Sequence, residues 1–109
     1  MNWEHITEEA QIAEIIEQSK LQPVVIFKHS TRCSISSMAK NRLERVAAPE
    51  NVTFYYLDLI RYRSVSNKIA EVFQVYHESP QVLLIKGGEC VYDESHGGID
   101  MMEISEQAA

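Results

Sequence analysis

The run Val24-Val25-Ile26-Phe27-Lys28-His29-Ser30-Thr31-Arg32-Cys33-Ser34-Ile35-Ser36 decides how this chain reads. Val24 to Phe27 is continuously apolar and mostly β-branched. Strands buried on both faces look like this, and they belong to parallel sheets covered by helices. His29-Ser30-Thr31-Arg32 is a polar turn. From Ile35 onward, Met38, Ala39, Leu43, Val46 and Ala47 fall at helical spacing, and Pro49 lies beyond the end. The order strand, turn, helix places Cys33 at a helix start.

The flanking segments extend the same alternation. Ile12, Ile15 and Ile16 predict an amphipathic helix over 7–19, with Thr7 as N-cap and Pro23 as breaker. Val52 to Leu59 predicts a second strand, rich in Phe, Tyr and Val. Residues 61–67 read as a loop, and Ile69, Val72, Phe73 and Tyr76 predict a third helix. After the break at His77-Glu78-Ser79-Pro80, Val82 to Ile85 predicts a strand. Gly87-Gly88 marks a hairpin that returns through Cys90-Val91-Tyr92. Asp100 with Glu103 is a capping-box pattern for a last helix. The tyrosines 55, 56, 62, 76 and 92 read as strand and core residues. The expected architecture is α/β: a mixed four-stranded central sheet, built from a parallel pair plus a C-terminal hairpin, with helices on both faces.

With 109 residues, the chain is expected to form a single domain over 1–109, large enough to bury its own core without disulfides or metals. Hydrophobic residues make up 45% and charged residues 24%, an ordinary globular balance that argues against disorder. No apolar run approaches the ~20 residues of a membrane span. The start Met1-Asn2-Trp3-Glu4-His5 is unlike a signal peptide, so a cytoplasmic protein with reduced thiols is expected. The net charge of −6 argues against a nucleic-acid binder. That charge is uneven. Residues 87–109 hold six acids and no Lys or Arg, whereas 28–45 hold Lys28, Arg32, Lys40, Arg42 and Arg45 against Glu44 alone. The only basic segment surrounds Cys33. It reads either as a solvated helix face or as a field that favours a thiolate.

The unpaired N–H groups of a helix start carry partial positive charge, and a thiolate placed there is stabilised. Arg32 adds a cation, and Ser30, Thr31, Ser34 and Ser36 make the surroundings polar, unlike those of a core cysteine. Cys33 is therefore the candidate nucleophile, with Thr31, Arg32, Ser34 and Ser36 in supporting positions. Ser36 stands where a Cys-x-x-Cys pair would have its second thiol. It can hydrogen-bond the Cys33 sulfur but cannot resolve a mixed disulfide, so one-thiol chemistry is implied. Cys90, beside Val91 on a strand, reads as a packing thiol, and its reach to Cys33 is left open. Pro80 admits a cis or a trans peptide. His29 reads as a base near Cys33 or as a solvated turn residue. The four histidines lack metal-ligand spacing, and no P-loop or Gly-x-Gly-x-x-Gly is present.

The element order, Cys33 after the first central strand and Pro80 before the hairpin together resemble a thioredoxin-like fold. Ser30-Thr31-Arg32-Cys33-Ser34-Ile35-Ser36 resembles the monothiol bacilliredoxin signature, with core Thr-x-Cys-Pro-Ile-Ser, and His77-Glu78-Ser79-Pro80-Gln81 is similar to that family too. The resemblance implies that Cys33 removes bacillithiol from S-bacillithiolated client proteins. It implies a Cys33–bacillithiol disulfide that free bacillithiol or a bacillithiol disulfide reductase then clears. It also implies that Pro80 is cis and faces Cys33, and that Ser79 offers backbone to an extended substrate. Bacillithiol would be a co-substrate, with no tightly bound cofactor. Ser34 departs from the family proline, which bears on loop rigidity and redox poise. Two other readings compete. One is a non-catalytic thioredoxin-like binding module. The other is an iron–sulfur carrier like the monothiol glutaredoxins, which place glycine and phenylalanine where Ser34 and Ile35 stand.

Overall fold

The structure, a computed structural model, describes residues 1–109. The elements in chain order are β1 (Trp3–His5), α1 (Ala10–Ser19), β2 (Val24–His29), α2 (Ser34–Glu44), β3 (Thr53–Asp58), α3 (Arg63–Phe73), β4 (Gln81–Lys86), β5 (Glu89–Ser95), a 3₁₀ turn at His96–Gly98, and α4 (Met101–Ala108). The strands form one mixed sheet in the order β1-β3-β2-β4-β5. β1 and β2 run parallel to β3, and β4 is antiparallel to β2 and β5.

The central run behaves as its composition requires. All six residues of β2 are buried, and successive side chains enter opposite cores. Val24 and Ile26 pack with Ile12 and Ile15 of α1 and with Val65, Ile69 and Phe73 of α3. Val25 and Phe27 pack with Ala39 and Leu43 of α2 and with Met101 and Ile104 of α4. The β2–β3 pair is parallel, as the intervening helix demands. Gly87 and Gly88 both take positive φ, 60° and 84°, as a tight hairpin requires.

Four expectations need correction. The sheet has five strands, not four. β1 is only three residues long and draws its order from β3 and from Trp3, which stacks on Phe27 at 5.6 Å and donates Nε1 to Glu44 at 2.8 Å. Thr7 does not cap α1. Gln11 reaches back instead, accepting from the N–H groups of Thr7 (2.7 Å) and Glu8 (3.1 Å). The third helix begins at Arg63, so most of the expected loop, residues 63–67, is helical. The Asp58 carboxylate collects the N–H groups of Ile60 and Arg61 and turns the chain into it, and Gln74 ends it at φ 55°. Its buried stripe is Val65, Ser66, Ile69 and Phe73, leaving Tyr76 outside the helix and 94% exposed rather than in the core. The Asp100 cap does form, accepting from Glu103 N at 3.3 Å.

Candidate active site

Cys33 occupies the N-cap position of α2 in extended conformation, partly exposed at the end where the parallel strands β2 and β3 finish. The turn before it is closed by Cys33 N–H donating to the Ser30 carbonyl at 3.1 Å. The first helical bond runs from Ser37 N–H to the Cys33 carbonyl, so the N–H groups of Ser34, Ile35 and Ser36 have no partner in the chain. The Cys33 side chain itself makes no capping hydrogen bond, and the three free donors mark the positive end of the helix that starts beside it.

Ser36 is fully buried, and its hydroxyl does not serve the sulfur. It accepts from Ser30 N–H at 3.0 Å and lies 2.7 Å from His29 Nδ1. The expected Ser36–Cys33 hydrogen bond is replaced by a brace that ties the first turn of α2 to the end of β2. His29 is correspondingly not a solvated turn residue. Its ring is buried between Phe27 and Tyr56, and burial, reinforced by Lys40, pushes its pKa below the ordinary histidine value. A neutral ring shares one hydrogen bond with the Ser36 hydroxyl through Nδ1. Thr31, Arg32 and Ser34 are exposed and make no side-chain hydrogen bond.

The basic segment is largely used elsewhere. Lys28 is buried, Lys40 pairs with Glu44 at 2.9 Å, and Arg42 donates to the carbonyl of His96 at 3.0 Å. Arg32 and Arg45 remain unpaired, and only Arg32 stands beside Cys33. The local field therefore comes from the helix start and one arginine rather than from five cations.

Ser79–Pro80 is a cis peptide. Gln81 pairs with Lys28, so Pro80 follows at the end of the sheet where His29 leads to Cys33. Buried Gln81 secures the segment before it, donating Nε2 to the Tyr76 carbonyl (3.0 Å) and accepting from Glu78 N–H (3.4 Å). Ser79 itself makes no hydrogen bond through N–H, C=O or its buried hydroxyl. An unpaired peptide at a sheet end is suited to an added extended strand.

Cys90 lies elsewhere. It pairs with Ile85, and Ile85 pairs with Val24, so it sits at the opposite end of β2 from His29. Five residue steps at ~3.3 Å make roughly 17 Å of strand between those levels, far beyond the ~7 Å that a disulfide tolerates between Cα atoms. Burial pushes the Cys90 thiol up to about 11. In the sequence Gln81 has no part in this region, and Lys28 and His29 read as charged or turn residues near Cys33 rather than as the buried end of β2. The available signal was a lysine and a histidine directly continuing an apolar strand.

Residues with metal-ligating side chains do not gather in groups of three or more, and no helix is long and apolar enough to cross a membrane. A solved protein assigned as an oxidoreductase with a thioredoxin fold is 30% identical, with a TM-score of 0.84 over 96% of this chain and 92% of that one. The thioredoxin of Malassezia sympodialis is 17% identical with a TM-score of 0.78, covering 99% and 92% of the two chains. The thioredoxin of Trypanosoma brucei brucei is 12% identical with a TM-score of 0.76, covering 97% and 87%. The fold is thus the thioredoxin fold. Residues 4–104 match the family of monothiol bacilliredoxin BrxC. Nearly the whole chain is accounted for by that match, and the chain belongs to the monothiol bacilliredoxin family, with a thiol-redox role.

Proposed function

We propose that the protein removes bacillithiol from client proteins by one-thiol exchange at Cys33. The Cys33 thiolate attacks the bacillithiol sulfur of a client mixed disulfide. The S–S bond between the client sulfur and the bacillithiol sulfur breaks, the client leaves as a thiolate that takes a proton from water, and a Cys33–bacillithiol disulfide forms. A second bacillithiol thiolate then attacks the bacillithiol sulfur of that disulfide. It regenerates the Cys33 thiolate and releases bacillithiol disulfide for a reductase. No net oxidation of the protein occurs. Thr31, Arg32 and Ser34 border the sulfur, and the unpaired Ser79 peptide beside Pro80 receives the client backbone. The reading places the protein in the cytoplasm of a cell that makes bacillithiol.

One observation carries this reading: a single thiol stands at a helix start with no second thiol in reach. Position 36 is a hydroxyl committed to His29 and Ser30, and Cys90 is at the far end of the sheet. Intact mass spectrometry after incubation with bacillithiol disulfide tests it, with Cys33→Ser as control. One bacillithiol adduct, absent from Cys33→Ser, is expected, together with Cys33-dependent release from a bacillithiolated client. A Cys33–Cys90 disulfide would replace this mechanism with a dithiol one. Adduct without client release would leave a binding module.

A further inference from the structure

Lys28 is the one fully buried lysine in the chain, 0% exposed, and no carboxylate answers it. Its Nζ donates to the Ser66 carbonyl at 3.2 Å and lies 3.4 Å from His77 Nδ1, with Ser66 Oγ also 3.4 Å from that nitrogen. Three elements meet here: β2, α3 and the segment leading to Pro80. An ammonium has donors only, so His77 must accept at Nδ1 and be neutral.

We propose that Lys28 is a positioning residue for substrate: through His77, and alongside the Gln81 bonds to Tyr76 and Glu78, it fixes residues 76–79 so that the Ser79 peptide stays open at the Cys33 end of the sheet, and protonation of His77 loosens that hold. This rests on the reading that Ser79 receives the client.

Packing alone does not explain the lysine. Methionine fills a similar volume without the desolvation cost of a buried ammonium, and such replacements are often neutral or stabilising. Neither acceptor would be stranded, because the Ser66 carbonyl belongs to α3 and His77 keeps Ser66 Oγ. What methionine cannot do is donate to His77.

The pH behaviour follows from the groups facing the contact. From β2 there is Lys28. From α3 there are Arg63 and the neutral Ser66. From the segment itself there is Glu78, whose carboxylate is 4.0 Å from His96 Nε2. The cross-strand neighbours of Lys28, Leu57 and Gln81, are uncharged. Burial brings Lys28 down to about 8, so it remains a cation at neutral pH. Burial, Lys28 and Arg63 push His77 below its ordinary value, with Glu78 opposing. Acid removes the Nδ1 lone pair and sets two cations face to face. The contact is therefore present above the His77 transition and lost below it.

Two variants test this, by steady-state kinetics on a bacillithiolated client peptide and by backbone NMR of residues 76–79. Lys28→Met is expected to melt at an equal or higher temperature yet show a several-fold higher KM with little change in kcat. Its 76–79 shifts at neutral pH should be those that the unaltered protein reaches only in acid. His77→Asn keeps an acceptor that does not titrate. It should hold KM near the unaltered value and abolish the rise in KM as the pH falls below the ordinary histidine value of about 6.5. Lys28→Met with unchanged KM and neutral-pH shifts overturns the proposal, as does a His77→Asn profile that still rises. If the unaltered protein releases no bacillithiol at all, the functional reading fails instead. The NMR comparison then still decides whether Lys28 holds the segment.

Discussion

The two ends of the central sheet each carry one cysteine, and they differ in almost everything but the residue. Cys33 stands four residues beyond the end of a fully buried strand, at the N-cap of a helix whose first three N–H groups are free. Cys90 lies on the edge strand β5. There a bulge pairs Ile85 with Cys90 and Leu84 with Tyr92, skipping Val91. The skipped residue turns Cys90 toward the α1/α3 core and Tyr92 toward the α2/α4 core. Its thiol donates to the Tyr92 carbonyl at 3.4 Å and has lost water without gaining a cation. On the proposed reading, reactivity is a property of backbone position, since composition near each cysteine is a poor guide. Most of the positive charge around Cys33 is spent on salt bridges and carbonyls.

The sharpest way to break the contrast is to remove each thiol in turn. Cys33→Ser should reduce bacillithiol release to the uncatalysed rate, while Cys90→Ser should retain activity within about twofold, measured with a bacillithiolated client. A comparable loss in Cys90→Ser would refute the one-thiol mechanism. The next effect is selectivity of labelling. With its thiol at about 11, Cys90 is roughly one part in ten thousand thiolate at pH 7. Iodoacetamide should then mark Cys33 alone in the native protein, read by peptide mass spectrometry, with Cys90 reacting only as the pH nears 11. Equal labelling at neutral pH would erase the distinction.

A smaller effect probes the brace that holds Cys33 in place. Ser36→Ala leaves a buried imidazole nitrogen and the Ser30 N–H without their partner. The cost should be about 1–3 kcal/mol in urea unfolding. Cys33 should remain the labelled thiol, because Ser36 does not touch its sulfur. A variant as stable as the original would show that the hydroxyl is not a structural tie.

How much of this was visible beforehand differs between the same two regions. The β2 run, the helix start at Cys33, the Gly87-Gly88 hairpin and the Asp100 cap are local patterns, each settled by a few neighbouring residues. β1 escaped because three residues with one apolar side chain have no periodicity, and its order comes from pairing with Phe54, Tyr55 and Tyr56. The start of α3 escaped because an Asp58 side-chain turn, not a hydrophobic stripe, sets it. Lys28 reads in the sequence only as part of the basic segment, although its strand carries it inward. Its partners, Ser66 and His77, lie 38 and 49 residues away, and no spacing rule joins them. Ser36 was assigned to the sulfur because both are on one helical turn, whereas its hydroxyl points back to the strand end.

The smallest effect sets the two ends against each other through proton linkage. Lys28, beside the Cys33 end, is depressed from 10.5 to about 8, so between those values the unfolded chain binds the extra proton and stability rises with pH. Cys90 is raised from 9.0 to about 11, so over that interval the native state holds the proton and stability falls. Each contributes a slope of at most about 1.4 kcal/mol per pH unit, and from about pH 9 to 10.5 they nearly cancel. Urea midpoints against pH should separate them. Relative to the unaltered protein, Cys90→Ser should gain stability steadily as pH rises from 9 to 11, and Lys28→Met should lose its advantage between 8 and 10.5. Parallel curves for all three proteins would mean that neither buried group titrates out of its ordinary range. The electrostatic contrast between the two ends would then fall with them.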